Sequence, residues 1–207
     1  MIYETRFYNS IKSWNNEEDM YVIIWQTDER KPSMDKGVCG KLIGCLGYKG
    51  KVFEIPSSIE TIGESVFVKS EWDCFDPAVE KVVIPASVQK IEEGAFTGTW
   101  IQKIKIHPDS PAGIVKKDAL YTKDGSTLLW IMDTDEEGNF TVPEGVTRLG
   151  VGCFGYDGIG CLTLPASVTE IGIDYDADLF DGVEIKAPRG SFAIEFAKKH
   201  GLEYEEV

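Results

Sequence analysis

Around Pro56, apolar residues stand at Phe53, Ile55, Ile59, Ile62 and Phe67, at offsets −3, −1, +3, +6 and +11 from the proline. Pro85 repeats the set with Val82, Ile84, Val88, Ile91 and Phe96, and Pro143 repeats it with Phe140, Val142, Val146, Leu149 and Phe154. Pro165 carries Leu162, Leu164, Val168 and Ile171 before an insertion removes the +11 slot. Two degenerate copies, IQKIKIHP at Pro108 and VEIKAP at Pro188, complete the series. The prolines are 29, 23, 35, 22 and 23 residues apart, so a base period near 23 carries two longer insertions. A period of that size is the mark of a solenoid, and five matched offsets in three copies argue against chance turns in a β-sandwich.

One copy predicts its own geometry. The apolar residues at −3 and −1 alternate with polar ones, as a half-buried strand requires. Proline ends that strand because it has no N–H to give the ladder. Offsets +3 and +6 turn a second apolar pair inward, with Gly63, Gly150 and Gly172 directly behind for a tight turn. The phenylalanine at +11 then fills the space between coils. A single copy cannot bury these groups, so copies must stack.

Between Pro108 and Pro143, the runs Ala119–Thr122 and Thr127–Ile131 flank Asp124-Gly125 and predict a β-hairpin. The C-terminal stretch SFAIEFAKKHG predicts a short amphipathic helix capped by Ser191 and stopped by Gly201, with Ile194 and Ala197 toward the solenoid. Lys198 to His200 suit its negative end. That helix would cover the last coil, which otherwise exposes its core and an unpaired edge. Residues 1–50 lie outside the repeat. MYVIIWQ (Met20 to Gln26) and KLIGCLGYKG read as strands, and the segment is expected to cap the N-terminal end of a solenoid covering 51–207.

IPxSVxxIxxxAF, with a VTxIG variant in EGVTRLGVGCF and ASVTEIG, resembles the leucine-rich repeat of the BspA-like type found in many bacterial surface and secreted proteins. The inserted segment and the terminal helix resemble that family as well. The resemblance covers about three quarters of the chain. With the repeat count, it implies a β-rich solenoid of about six coils with a β-hairpin insertion and a C-terminal capping helix. In function it implies adhesion or host-surface interaction.

Charge narrows the choice of partner. The chain has 35 acidic and 21 basic residues and a formal charge of −14, with no dense Lys/Arg cluster in the sequence. Nucleic acid and anionic membrane surfaces are therefore unexpected partners. No apolar run is long enough to span a bilayer, so no membrane insertion is expected. The N-terminus has no signal-peptide pattern, which points to the cytoplasm, whereas the resemblance points to secretion or the cell surface. Five cysteines without CxxC spacing fit reduced thiols. Cys39 and Cys45 are the one local pair.

Catalysis finds little support. The two histidines, His107 and His200, lie in a proline turn and near a helix end, and no nucleophile motif accompanies them. Cys153 holds offset +10, the slot of Val66 and Ala95, and reads as a buried small residue. Asp174, Asp176, Asp178 and Asp181 form an acidic run that begins like a calcium loop. Leu179 stands where that loop needs glycine and Ile185 where it needs glutamate, so the run is expected to be a solvated loop. Asp133 to Glu137 likewise reads as a charged turn. Neither metal nor cofactor is expected.

The expected function is therefore non-enzymatic binding of a protein partner on one solenoid face. The candidate residues point outward around the prolines: Glu54, Lys81, Val83, Lys103, Lys105, Thr141 and Thr163. Trp72 and Trp100, in turns and insertions, are further candidates for a partner or for stacking on a sugar, so a carbohydrate-binding module is the alternative.

Overall fold

The computed structural model describes residues 11–16, 19–27, 40–46, 50–67, 79–99, 101–155, 159–173 and 180–207. In chain order the first strands are β1 (Ile11–Asn16), β2 (Asp19–Thr27), β3 (Gly40–Leu46), β4 (Val52–Glu54), β5 (Ile59–Ile62), β6 (Lys81–Ile84), β7 (Lys90–Ile91) and β8 (Lys103–Ile106). There follow β9 (Ile114–Lys116), β10 (Ala119–Tyr121), β11 (Thr127–Ile131), β12 (Asn139–Thr141), β13 (Arg148–Leu149), β14 (Cys161–Thr163), β15 (Glu170–Ile171) and β16 (Glu184–Ala187). Helix α1 (Phe192–His200) and β17 (Tyr204–Glu206) end the chain.

The strand before each proline stacks on its counterpart in the next coil, and so does the strand after it. The first series gives two sheets, β4-β6-β8 and β12-β14-β16-β17. The second gives β1-β2-β3-β5-β7 and β15-β13-β11-β10-β9. This is a solenoid of about six turns, as the spacing requires. The proline string is the corner between the two series. The carbonyls of Pro56, Pro85, Pro143 and Pro165 accept from the N–H of the +3 residue at 3.0, 3.3, 3.4 and 3.2 Å, which swings that side chain into the core. Every residue at offsets −3, −1, +3 and +6 in these four copies is at most 7% exposed.

The serine of the string ties one coil to the last. Ser167 Oγ donates to the Val146 carbonyl at 2.8 Å, and Ser110 Oγ donates to the Val88 carbonyl at 2.7 Å. Ser87 Oγ is buried without a partner.

The +11 phenylalanines join other aromatic rings in a column. Phe53, Phe67, Phe96 and Trp130 follow one another with ring centroids 5.5, 5.8 and 6.2 Å apart. In the C-terminal half, Phe154, Phe180 and Phe196 are 5.2 and 5.7 Å apart. Phe180 thus fills the slot that the insertion after Ile171 takes out of register.

The expected hairpin forms from β10 and β11, and a third strand the sequence did not announce, β9, joins it antiparallel. This meander is a wall between two cores rather than a rim decoration. Ala119, Tyr121, Leu128 and Ile131 pack into the C-terminal core. Leu120, Leu129 and Trp130 pack into the N-terminal one. At the end of the chain, Ser191 Oγ accepts from the Ile194 N–H at 3.4 Å, and Gly201 closes the helix at φ 70°. Ala193, Ile194, Phe196 and Ala197 are buried beneath it. The helix covers the core but does not finish the fold. β17 returns to pair parallel with β16, so the last sheet gains a strand whose three side chains are all exposed. At the other end, β3 pairs antiparallel with β2 and parallel with β5.

Candidate partner-binding face

The outward residues fall into register rows because parallel strands repeat the same offset. In β4-β6-β8 one row is Val52, Lys81 and Lys103, and the other is Glu54, Val83 and Lys105. Alternation puts Phe53, Val82 and Ile104 inward between them. In β12-β14-β16-β17 the corresponding row is Thr141, Thr163, Lys186 and Glu205. The predicted face therefore divides into two: Glu54, Lys81, Val83, Lys103 and Lys105 come together, while Thr141 and Thr163 belong to the other sheet. Trp72 and Trp100 lie outside the described residues. Val52, 42% exposed at the end of the first row, and the Lys186–Glu205 pair were not among the expected residues. Only the register places them.

The two sheets differ in electrostatics. Lys186 Nζ lies 2.8 Å from Glu205 and 3.4 Å from Glu184, and the hydrogen bond it donates to Glu205 holds its pKa above the ordinary lysine value. Lys51, at the margin of the first sheet, is 2.6 Å from Glu80. Lys81, Lys103 and Lys105 have no ion-pair partner among the described residues.

A groove of about 690 Å³ opens where the stack is interrupted, between β7 on one side and Ala112, Thr122 to Asp124, Thr127 and Leu129 on the other. Its charges tie the fold together. Glu92 meets Lys41 at 2.6 Å, and Lys123 Nζ donates to the carbonyls of Pro108 and Ser110 at 3.0 and 2.9 Å. Arg148 donates to both oxygens of Glu93 at 2.8 and 2.9 Å and also pairs with Glu170. Asp124, in the hairpin turn, accepts from Thr122 and from the N–H and hydroxyl of Ser126, which bring its pKa down to about 2.

Among the described residues, the two histidines and the buried cysteines Cys153 and Cys161 have structural surroundings. His107 Nδ1 accepts from the Asp109 N–H at 3.2 Å, and the His200 ring lies 4.5 Å from that of Phe196. Cys153 is 2% exposed, as its slot predicts, and burial pushes its thiol up to about 12. Burial also raises Cys161. Asp135 organises the charged turn before β12, accepting from the Asn139 N–H at 2.7 Å and the Glu137 N–H at 3.0 Å. Among the described residues no group of three or more His, Cys, Asp or Glu is placed to hold a metal. Asp174, Asp176, Asp178 and Cys39 lie outside those residues. No helix among them is long and apolar enough to cross a membrane.

Comparison with known proteins agrees with this architecture. Residues 48–121 match the BspA type leucine rich repeat region, described as six copies. A leucine-rich repeat protein from Eubacterium ventriosum superposes with a TM-score of 0.54 at 26% identity, over 66% of this chain and 36% of that one. The chain thus spans about a third of that protein's length. The pneumococcal vaccine antigen PcpA aligns over 96% of this chain and 98% of its own, at 10% identity and a TM-score of 0.27. No curated protein matches.

Proposed function

We propose, from the match of residues 48–121 to the BspA type leucine rich repeat region, that the chain is a non-enzymatic module that seats a protein partner on the outer face of β4-β6-β8. One observation carries this reading. The cations of the neighbouring sheet and of the groove are matched by carboxylates or carbonyls within the fold, whereas Lys81, Lys103 and Lys105 have no ion-pair partner among the described residues. Three lysines, Glu54 and two valines on a regular sheet make the mixed polar and apolar surface that protein interfaces use. Stacked coils hold it rigid, so little ordering cost falls on binding. In this reading residues 1–50 serve as the N-terminal cap, supported by the way β1-β2-β3 prolongs the ladder of β5 and β7.

The test is capture of binding proteins on the immobilised chain, with an acidic side chain placed on either sheet. Val83→Glu should abolish capture and Thr163→Glu should leave it intact. Equal capture by wild type and Val83→Glu would remove the face from consideration.

A further inference from the structure

We propose that the partner presents to this face an acidic extended segment whose carboxylates stand two residues apart. The inference rests on reading β4-β6-β8 as the binding surface, and adds the chemistry that surface selects.

The register sets Lys81 directly beside Lys103 across a parallel strand pair. Like charges directly opposite one another on a sheet are destabilising, and here no carboxylate among the described residues pairs with either lysine. Lys51 has Glu80, Arg148 has Glu93 and Glu170, and Lys186 has Glu205. Lys116, Lys117 and Lys199 also lack an ion pair among the described residues, but none of them stands opposite another cation on a strand, Lys116 facing Ala119. An uncompensated pair retained on an exposed, regular strand is a local cost of the kind that binding surfaces carry. The chain as a whole bears a charge of −14, so this is a small positive field on a negative molecule. A long polyanion would be repelled by the remainder, while a short acidic segment can lie within a screening length of about 8 Å from the lysines.

Spacing selects the shape of that segment. Lys103 and Lys105 project from the same side of β8, with Ile104 buried between them. Residues two apart on a strand are separated by about 6.6–6.8 Å, and neighbouring strands by about 4.7–4.9 Å. An extended segment lying along β8 repeats the first spacing, so alternate carboxylates meet Lys103 and Lys105 while Lys81 closes on the first of them. Val52 and Val83, next to the lysines in their rows, offer apolar contact to the residues between.

The probe is a fluorescein-labelled peptide of alternating glutamate and threonine, titrated into the full chain and read by fluorescence anisotropy. Binding is expected at low salt and should weaken by about tenfold or more in the K81E/K103E/K105E variant. The K81Q/K103Q/K105Q variant should weaken it by a smaller factor, and K116E/K117E should not change it. Unchanged circular dichroism melts certify the variants as folded. No peptide binding, binding indifferent to the lysines, or lysine-dependent binding only of a heparin fragment or a DNA oligonucleotide would each overturn the proposal. The same holds if the signal proves to be self-association of the chain. If capture of a partner is lost in Val83→Glu but untouched by lysine reversal, the acidic segment is wrong while the binding face stands. If peptide binding follows the lysines but capture ignores Val83→Glu, the face reading itself fails.

Discussion

Phe96 lies between Phe67, stacked at 5.8 Å, and Trp130, at 6.2 Å, and is 1% exposed. Truncating it to alanine opens the aromatic column at its middle, so Phe96→Ala should cost about 3–5 kcal/mol in chemical denaturation, or about 6–20 °C of melting temperature. The serines of the repeated string give a finer contrast. Ser110 is fully buried, donates to the Val88 carbonyl and accepts from the Ala112 N–H. Ser110→Ala leaves both unmatched and should lose about 1–3 kcal/mol, whereas Ser87→Ala removes an already unpartnered hydroxyl and should fall within about 0.5 kcal/mol of wild type. Glu93 adds a pH dependence. Hydrogen bonding from Arg148 holds its carboxyl below the ordinary glutamate value, with the Val151 N–H assisting and partial burial opposing. In the unfolded chain the group returns to about 4.3, so its stabilisation is fully present above that value and disappears as pH falls through the lower folded one. With side chains 33% and 26% exposed, Glu93→Gln should cost about 1–2 kcal/mol at neutral pH. Denaturation at successively lower pH should show the difference from wild type closing below about pH 4.

At the scale of elements, the two halves of the solenoid are fastened across the inserted meander by a close approach. Thr97 Oγ1 donates to the Gly152 carbonyl at 3.0 Å, and a Cβ on Gly152 would lie 1.9 Å from that oxygen with φ at +58°. Left-handed strain and overpacking together predict a loss of about 2–4 kcal/mol for Gly152→Ala, part of which Thr97→Ala should restore in the double variant. Nothing in the pattern of apolar positions marks Gly152, because its contact is with a residue 55 positions away. What the pattern did reveal was every inward residue governed by the proline corner, since strand alternation and a fixed turn act over a few residues. β9 and β17 escaped it for the same reason. IVK has no alternation to read, and YEE is a strand only because β16 offers it a free edge.

Over the whole molecule, the candidate face was legible residue by residue but not as a surface. Glu54, Lys81, Val83, Lys103 and Lys105 all follow from outward offsets, yet three lysines scattered over 25 positions form no cluster until parallel pairing stacks them. The division from Thr141 and Thr163 was equally hidden, because it depends on the meander that separates the sheets. That meander has a consequence for how the chain comes apart. A stack of repeats is held by contacts between neighbours, and an interruption would ordinarily let each half open by itself. Here one strand, β10, sends Leu120 into one core and Ala119 and Tyr121 into the other, all at most 1% exposed. Neither half can shed it without exposing the other, so the two should behave as a single cooperative unit. Amide hydrogen exchange should then give Val82 and Leu162, on opposite sides of the wall, the same opening free energy, and Leu120→Ala should lower both together.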